Sequence, residues 1–366
     1  MTGTHWLVTE PSDGFAAPYT TRLAAAGRYL PPGRLTTEEL MASTRHRTRI
    51  DLQRLTGIRE RRVSDGRDDS HSMAIAAASD CLSHADADAS ALDVVINCSI
   101  TRFDGLTQRM EPTMAGAVAR AIGATSAMTF DLSNACAGML TGVAVLNNWI
   151  RQGSVTRGLV VSGEYISGLE RNAAKHIRGI LSPELASLTL GDAGAALLLE
   201  RAPAGDGNII FTGFTTIARY SRLCLAYPKG HDPGARMFTK SRAIQQAAMA
   251  DTPMLLGEVL DAVRISLDEV DHVITHQTSA RAIRKGMAAV TRQFGAAPRH
   301  DAVITVDRYG NTASTTHTVA LVEELAAGHI EPGDTVALIA LASGLEIGVV
   351  LLRIDESLVN HYGHRH

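Results

Sequence analysis

Two rhythms of apolar residues alternate along this chain. Short, nearly unbroken apolar runs rich in Val, Ile and Leu predict strands at Leu92–Cys98, Gly158–Gly163, Ala195–Glu200, His272–His276, Ala302–Val306 and Thr335–Leu341. Between them, apolar positions recurring every three to four residues predict amphipathic helices over Ser72–Ala85, Ala115–Ile122, Ala137–Ile150, Pro253–Ser266 and Thr318–Ala327. Strand and helix in alternation predict an α/β layered protein. There is also an internal echo, since Asp93–Cys98 and Asp271–His276 occupy comparable places in the two halves, each after a long helix. Arg201–Asn208 is rich in turn formers and marks the boundary between those halves. The expected division is therefore an N-terminal arm over 1–20, a first half over 21–205 and a second over 206–366.

At 366 residues with 45% hydrophobic content, the chain can build a large core. A formal charge of −3 without a long basic run points away from nucleic acid. No apolar run approaches a membrane span, and no charged segment followed by an apolar stretch predicts a signal peptide. The four cysteines, Cys81, Cys98, Cys136 and Cys224, are scattered without a Cys-x-x-Cys pair, which favours a reducing, cytoplasmic setting. No metal site is expected, and the histidine-bearing tail from His361 reads as a solvated end.

Three segments carry candidate chemistry. Cys136 follows the strand-like run Ala127–Leu132 and opens the helix from Ala137, so helix N-terminal amides are expected to lower its thiol pKa. The competing reading is an inert core cysteine. His276 ends an apolar strand, where loops of α/β proteins face a cleft, although a lone histidine there is more often structural. Asn311 follows Gly310 at another junction and by itself reads as a turn residue. Together they offer a thiol, an imidazole and an amide, a constellation suited to acyl-thiol chemistry.

At these residues the chain resembles the ketoacyl-acyl-carrier-protein synthase III group of thiolase-fold condensing enzymes, from about residue 21 to Ile354. The resemblance is carried by Thr56–Arg62, Asn134-Ala-Cys-Ala-Gly138, Gly191–Ala196, His276-Gln277, Gly310-Asn311-Thr312 and Ser343-Gly344-Leu345. It implies two similar halves in a five-layer αβαβα sandwich, a homodimer, and no bound cofactor. Acyl groups would arrive on coenzyme A or on the phosphopantetheine of an acyl carrier protein. It also implies that Cys136 takes the acyl group, that backbone N–H groups of Cys136 and Ser343 form an oxyanion hole, and that His276 and Asn311 polarise the second thioester. Arg281, Arg284 and Lys285 share a helical face that in the family meets the phosphopantetheine phosphate or the acidic carrier; charge alone fits a solvated face equally well. Arg59, Arg61 and Arg62 are further docking candidates, while Asp192 reads as structural. Residues 101–114 and 164–190 are expected along the acyl channel.

Departures from the family's initiation enzymes matter as much. Glu111 stands before Pro112, where initiation enzymes carry an aromatic gate, and no aromatic lies near Asp51, where they stack adenine. Olefin-pathway Claisen synthases and dialkylresorcinol-forming ketosynthases resemble this chain better at Glu111-Pro112, at His276–Ser279 and at Ser343–Leu345. That implies Claisen joining of an acyl group to a β-ketoacyl thioester in secondary metabolism, with Glu111 reaching into the partner's site as base, its pKa raised by burial. The plain alternative for Glu111 is a rim or dimer salt bridge. Alternatives for the function are decarboxylative initiation with malonyl-carrier protein, acyl transfer to a hydroxyl or amine, and a non-catalytic partner subunit.

Overall fold

The computed structural model describes residues 7–8, 17–85, 87–228 and 235–362. Most of the expected arm and the tail beyond Tyr362 lie outside the described residues.

Two five-stranded sheets share one plan. In the first, the order is Thr20–Tyr29, Ala193–Ala202, Arg157–Glu164, Val94–Asn97 and Met128–Asp131. The first three strands pair antiparallel, and the last two run parallel to their neighbours. The second sheet repeats this with Ile209–Thr216, Glu346–Arg353, Thr335–Ala342 and His272–Thr275, the last again parallel. The echo between Asp93–Cys98 and Asp271–His276 is thus a structural equivalence. Leu7–Val8 joins the outer edge of the second sheet beside Ile209–Thr216.

Helices Gly138–Arg151 and Thr316–Ala326 lie between the sheets and pack on both. Helices Ser70–His84 and Met114–Ile122 cover the first sheet's outer face, and Ser241–Val263 with Ala280–Phe294 covers the second's. The result is the five-layer αβαβα thiolase fold. Its central core runs from Leu140, Leu146 and Ile150 across to Leu321, Leu338 and Val350, all fully or nearly fully buried. Burying a Leu or Ile side chain contributes about 1.5–3 kcal/mol.

Three local differences from the sequence pattern have physical causes. Ala302–Thr305 forms no strand and Val306 opens the short helix Val306–Tyr309: Val303 N–H makes one ladder-like bond, to the Val273 carbonyl at 3.0 Å, and beyond it the backbone is held by the Gln277 side chain. Its Nε2 donates to the Val303 carbonyl at 3.0 Å, and its Oε1 accepts from the N–H groups of Thr305 at 2.9 Å and Val306 at 3.1 Å. The helix expected to begin at Pro253 begins at Ser241 and carries Pro253 inside it. The carbonyl that Pro253 leaves without a helical partner belongs to Met249, which is partly exposed to water. Finally, a separate 3-10 turn, Ala135–Ala137, precedes the helix that begins at Gly138.

Helix Ser70–His84 sits so close to the first sheet that a Cβ at Gly163 would lie 1.9 Å from the Ser70 carbonyl oxygen. Gly163→Ala is therefore expected to destabilise the fold by about 1–3 kcal/mol, read as a lower urea midpoint. An unchanged midpoint would contradict so close a contact.

Candidate active site

Cys136 owes its position to a strained turn. The strand Met128–Asp131 ends, Ala135 adopts φ +45°, and the chain enters the Ala135–Ala137 turn. A left-handed alanine costs on the order of 1–3 kcal/mol and persists where its surroundings fix it. Here Asn134 Nδ2 donates to Thr141 Oγ1 at 2.8 Å, tying the turn to the helix behind it. The half-buried Cys136 packs against an apolar group that includes Ile166, Leu169, Leu190 and Ala313. Burial pushes its thiol pKa up, and Cys224 and Glu164 add to the rise. The helix-end expectation of a lowered pKa is corrected: loss of solvation outweighs the helix terminus.

The second half supplies a matching turn. Ala313 has φ +55°, the turn Ala313–Thr315 follows, and helix Thr316–Ala326 begins. The two turns pack on each other, and Ala135–Ala137 also packs on strand Thr335–Ala342, which ends next to Ser343. Asn311 is held by its backbone, its N–H donating to the Thr189 carbonyl at 2.7 Å and its carbonyl accepting from Gly191 N–H at 3.0 Å. Its Oδ1 accepts the Ala313 N–H at 3.0 Å, which leaves the amide NH₂ as donor.

His276 is buried, and its backbone N–H donates to the Ile339 carbonyl at 3.0 Å. Burial, followed by the charge of His317, lowers its imidazole pKa to about 3, so the ring is neutral at physiological pH. A neutral imidazole carries one N–H and can donate a single hydrogen bond from it. Strand Thr335–Ala342 thus links His276 to the cysteine turn, whose contact with Ala313–Thr315 brings in Asn311. Ser343 opens the turn before Glu346–Arg353, with Gly344 and Leu345 both at positive φ.

Other candidates fall elsewhere. Glu111 is exposed on the loop before helix Met114–Ile122, outside the buried group around Cys136, and the expected burial does not occur within this chain. That helix is fixed by Asp131, which accepts from Met114 N–H at 3.1 Å and Ala115 N–H at 3.0 Å. Arg281, Arg284 and Lys285 are exposed on Ala280–Phe294 and, with Arg54, line a groove of about 510 Å³. It adjoins a larger one of about 700 Å³ bordered by Arg47, Arg49, Arg54, Arg178 and Arg281, with Asp51 among them. Arg61 is no docking residue. It is fully buried, paired with Glu170 at 3.2 Å and donating to the Leu188 carbonyl at 2.7 Å, behind the Asn311 turn. Arg59 pairs with Asp307 at 2.7 Å, and Arg62 donates to the Pro31 carbonyl at 3.4 Å.

Asp192 is buried and accepts from the N–H groups of Ser64, Ile166 and Ser167, fastening two loops beneath the site. Cys81 and Cys98 are core residues with thiol pKa raised by burial, while Cys224 is half-buried and close enough to act on Cys136. Among the described residues no cluster of His, Cys, Asp or Glu could hold a metal, and no helix is long and apolar enough to cross a membrane.

The sequence reading missed Glu164 and His317, both buried near the site. His317 donates from Nε2 to the same Ile339 carbonyl that holds His276, at 3.0 Å, and burial lowers its pKa to about 4. Its signal in the sequence is a histidine among the hydroxyl residues Ser314–Thr318 that open an apolar helical stretch.

This arrangement has close counterparts. Models of 3-oxoacyl-(acyl-carrier-protein) synthase III match residues 130–217, and models of its C-terminal part match 260–354. Beta-ketoacyl-(acyl-carrier-protein) synthase III of Acidiphilium cryptum is 31% identical, over 91% of this chain and 99% of the relative. The solved 3-oxoacyl-(acyl-carrier-protein) synthase III of Aquifex aeolicus superposes with a TM-score of 0.77 at 26% identity, covering 91% of this chain and 99% of that one. OleA of Xanthomonas campestris superposes with a TM-score of 0.79 at 21% identity, over 93% of this chain and all of that one, a likeness of fold. The fold and the paired turns define a thiolase-fold condensing enzyme. The chain belongs to the 3-oxoacyl-(acyl-carrier-protein) synthase III family.

A thiol raised by burial reacts through a small thiolate fraction that grows tenfold per pH unit. Iodoacetamide modification of Cys136, followed by peptide mass spectrometry, is expected to be still accelerating at about pH 9, where an ordinary thiol is levelling off. A plateau below about pH 8 would contradict the raised pKa.

Proposed function

We propose that this condensing enzyme joins an acyl group carried on Cys136 to a second, β-ketoacyl thioester, without decarboxylation, as a step of secondary metabolism. The observation that carries the condensing chemistry is the meeting of the Cys136 turn with the Asn311 turn, Asn311 Oδ1 being pinned so that its NH₂ is the free donor. Cys136 sulfur attacks the first thioester and forms the acyl-enzyme, and the carrier thiol leaves with the proton. Backbone N–H groups of Cys136 and Ser343 receive the tetrahedral oxyanion, each such donor contributing about 10²–10³ in rate. Neutral His276 and Asn311 donate to the second thioester's carbonyl and stabilise its enolate. The enolate carbon attacks the acyl carbonyl, a carbon–carbon bond forms, and Cys136 departs.

Removing the α proton needs a base when no carboxylate is lost, and we assign that to Glu111 acting across a homodimer. Three observations support this. Glu111 is exposed in a single chain, Leu106 and Met110 beside it are 72% and 84% exposed, and the neighbouring strand Met128–Asp131 ends its sheet with one edge unpaired among the described residues. A second copy covering this surface would bury the carboxylate and apolar residues together. The arginine-lined grooves suit the phosphates of coenzyme A or phosphopantetheine and the acidic surface of an acyl carrier protein. One structure of Xanthomonas campestris OleA contains lauric acid and lauroyl-CoA, in keeping with acyl thioester substrates for this fold. Decarboxylative use of malonyl-carrier protein is the second reading, favoured by the names of the relatives at 26–31% identity and needing no Glu111.

Purified protein given an acyl thioester and a β-ketoacyl thioester, with no malonyl donor, is expected to yield the condensed product by mass spectrometry. Glu111→Gln is expected to lower that yield by roughly 10²-fold or more while still loading Cys136. A product formed solely with malonyl-carrier protein, or full activity of Glu111→Gln, would overturn the non-decarboxylative reading.

A further inference from the structure

Cys136 has a structural double. Ser314 is the second residue of the Ala313–Thr315 turn, as Cys136 is of Ala135–Ala137; each turn begins with a left-handed alanine and leads into a buried helix between the sheets. Ser314 lies at the heart of a buried polar network that joins the two halves. Its hydroxyl donates to Glu164 Oε1 in a short bond. Glu164 ends strand Arg157–Glu164 in the first half and is fully buried. Its Oε1 also accepts from Ile100 N–H at 2.9 Å, and Oε2 accepts from Thr101 N–H at 3.1 Å and Thr101 Oγ1 at 2.9 Å.

The hydroxyl protons around this carboxylate can be assigned, because each hydroxyl has one to give. Ser99 donates to Asn97 Oδ1 at 2.7 Å, and Ser162 Oγ has two acceptors in reach, Ser99 Oγ at 3.3 Å and the nearer Ser314 Oγ at 2.8 Å. Ser314 gives its own proton to Glu164, so the 2.8 Å contact between Ser162 and Ser314 is a donation from Ser162. The chain Ser162 to Ser314 to Glu164 ends on an acceptor surrounded by four donors. A buried carboxylate is expensive unless it is satisfied in this way.

We infer that Glu164 is a positioning residue for the condensation step: through Ser314 it fixes the Ala313–Thr315 turn, and through the Ala313 N–H it aims the Asn311 amide at the substrate carbonyl. The path is short: a hydrogen bond from Ser314 to Glu164, one residue along the backbone to Ala313, and a hydrogen bond from the Ala313 N–H to Asn311 Oδ1 at 3.0 Å. Asn311 serves the condensation half-reaction and not the acyl loading of Cys136, which separates positioning from general support of the fold.

The inference rests on the proposed roles of Cys136 and Asn311, and the test keeps the two apart. Glu164→Gln, Ser314→Ala and the double variant are compared with the parent in two assays. Intact-protein mass spectrometry follows acyl loading of Cys136, and product formation is followed with both β-ketoacyl and malonyl donors. Each single variant is expected to lower condensation turnover about tenfold with whichever donor the parent uses. Glu164→Gln is expected to load Cys136 at about the parent's rate, because loading does not use Asn311. The double variant is expected to lose no more than about twice the larger single loss, because both act through one bond. Should Glu164→Gln fail to fold, the milder Ser314→Ala carries the test by the split between loading and condensation. Equal losses in both half-reactions, multiplicative losses in the double variant, or unchanged condensation would each overturn the inference. A parent that never loads Cys136 would overturn the proposed function first, and the inference with it.

Discussion

The site depends on two short turns pressed together between two sheets. Ala135–Ala137 and Ala313–Thr315 each require a left-handed alanine, and each launches a helix that both sheets bury. Neither turn would hold that conformation alone, since a left-handed non-glycine residue costs on the order of 1–3 kcal/mol. The apolar burial of Leu140, Leu146, Ile150, Ala320 and Leu321 around the two helices supplies the restraint. Fold and site are therefore one construction: the central layer of the sandwich is made of the helices whose first turns carry Cys136 and the neighbours of Asn311.

Burial also sets the electrostatic character of the resting site. It raises the thiol pKa of Cys136 and lowers those of His276 and His317, so all three are uncharged near neutral pH. The resting site is thus uncharged at Cys136, His276 and His317. Charge then develops on the tetrahedral oxyanion and on the enolate, where fixed N–H donors act without the reorganisation that water would need. The buried ionisable groups lie one layer back, in Glu164, Asp192 and the Arg61–Glu170 pair; burial raises the carboxyl pKa values, that of Glu170 to about 8, and their hydrogen bonds and contacts fasten loops to one another.

Much of this was legible in the sequence, and the exceptions share a cause. Cys136 and His276 stood out because each sits just past a strand end, and Asn311 because it follows Gly310 at a junction, although the short helix Val306–Tyr309 and not a strand precedes it. The strand Thr20–Tyr29 did not, since Leu23, Ala24, Ala25, Ala26 and Gly27 have little strand propensity, and helix Ser70–His84 demands small residues there. Ala302–Val306 looked like a strand because no pattern reveals that Gln277 holds the backbone after Val303 and that a short helix begins at Val306. Arg61 looked like a surface residue, and Glu164 like the polar end of a strand. Both are buried polar groups whose main partners, Glu170 and Leu188 for Arg61 and Ile100, Thr101 and Ser314 for Glu164, lie more than 60 positions away along the chain. Glu111 is legible as an anomaly, but its proposed work belongs to an assembly of two chains.

The most direct test of the central claim is to trap the acyl group. Protein mixed with one acyl thioester is digested and mapped, then a second thioester is added and the products are followed. The account predicts a single acyl adduct on Cys136, absent in Cys136→Ala, that disappears as a carbon–carbon-bonded product forms in equal amount. An adduct on another residue, or turnover retained by Cys136→Ala, would contradict it.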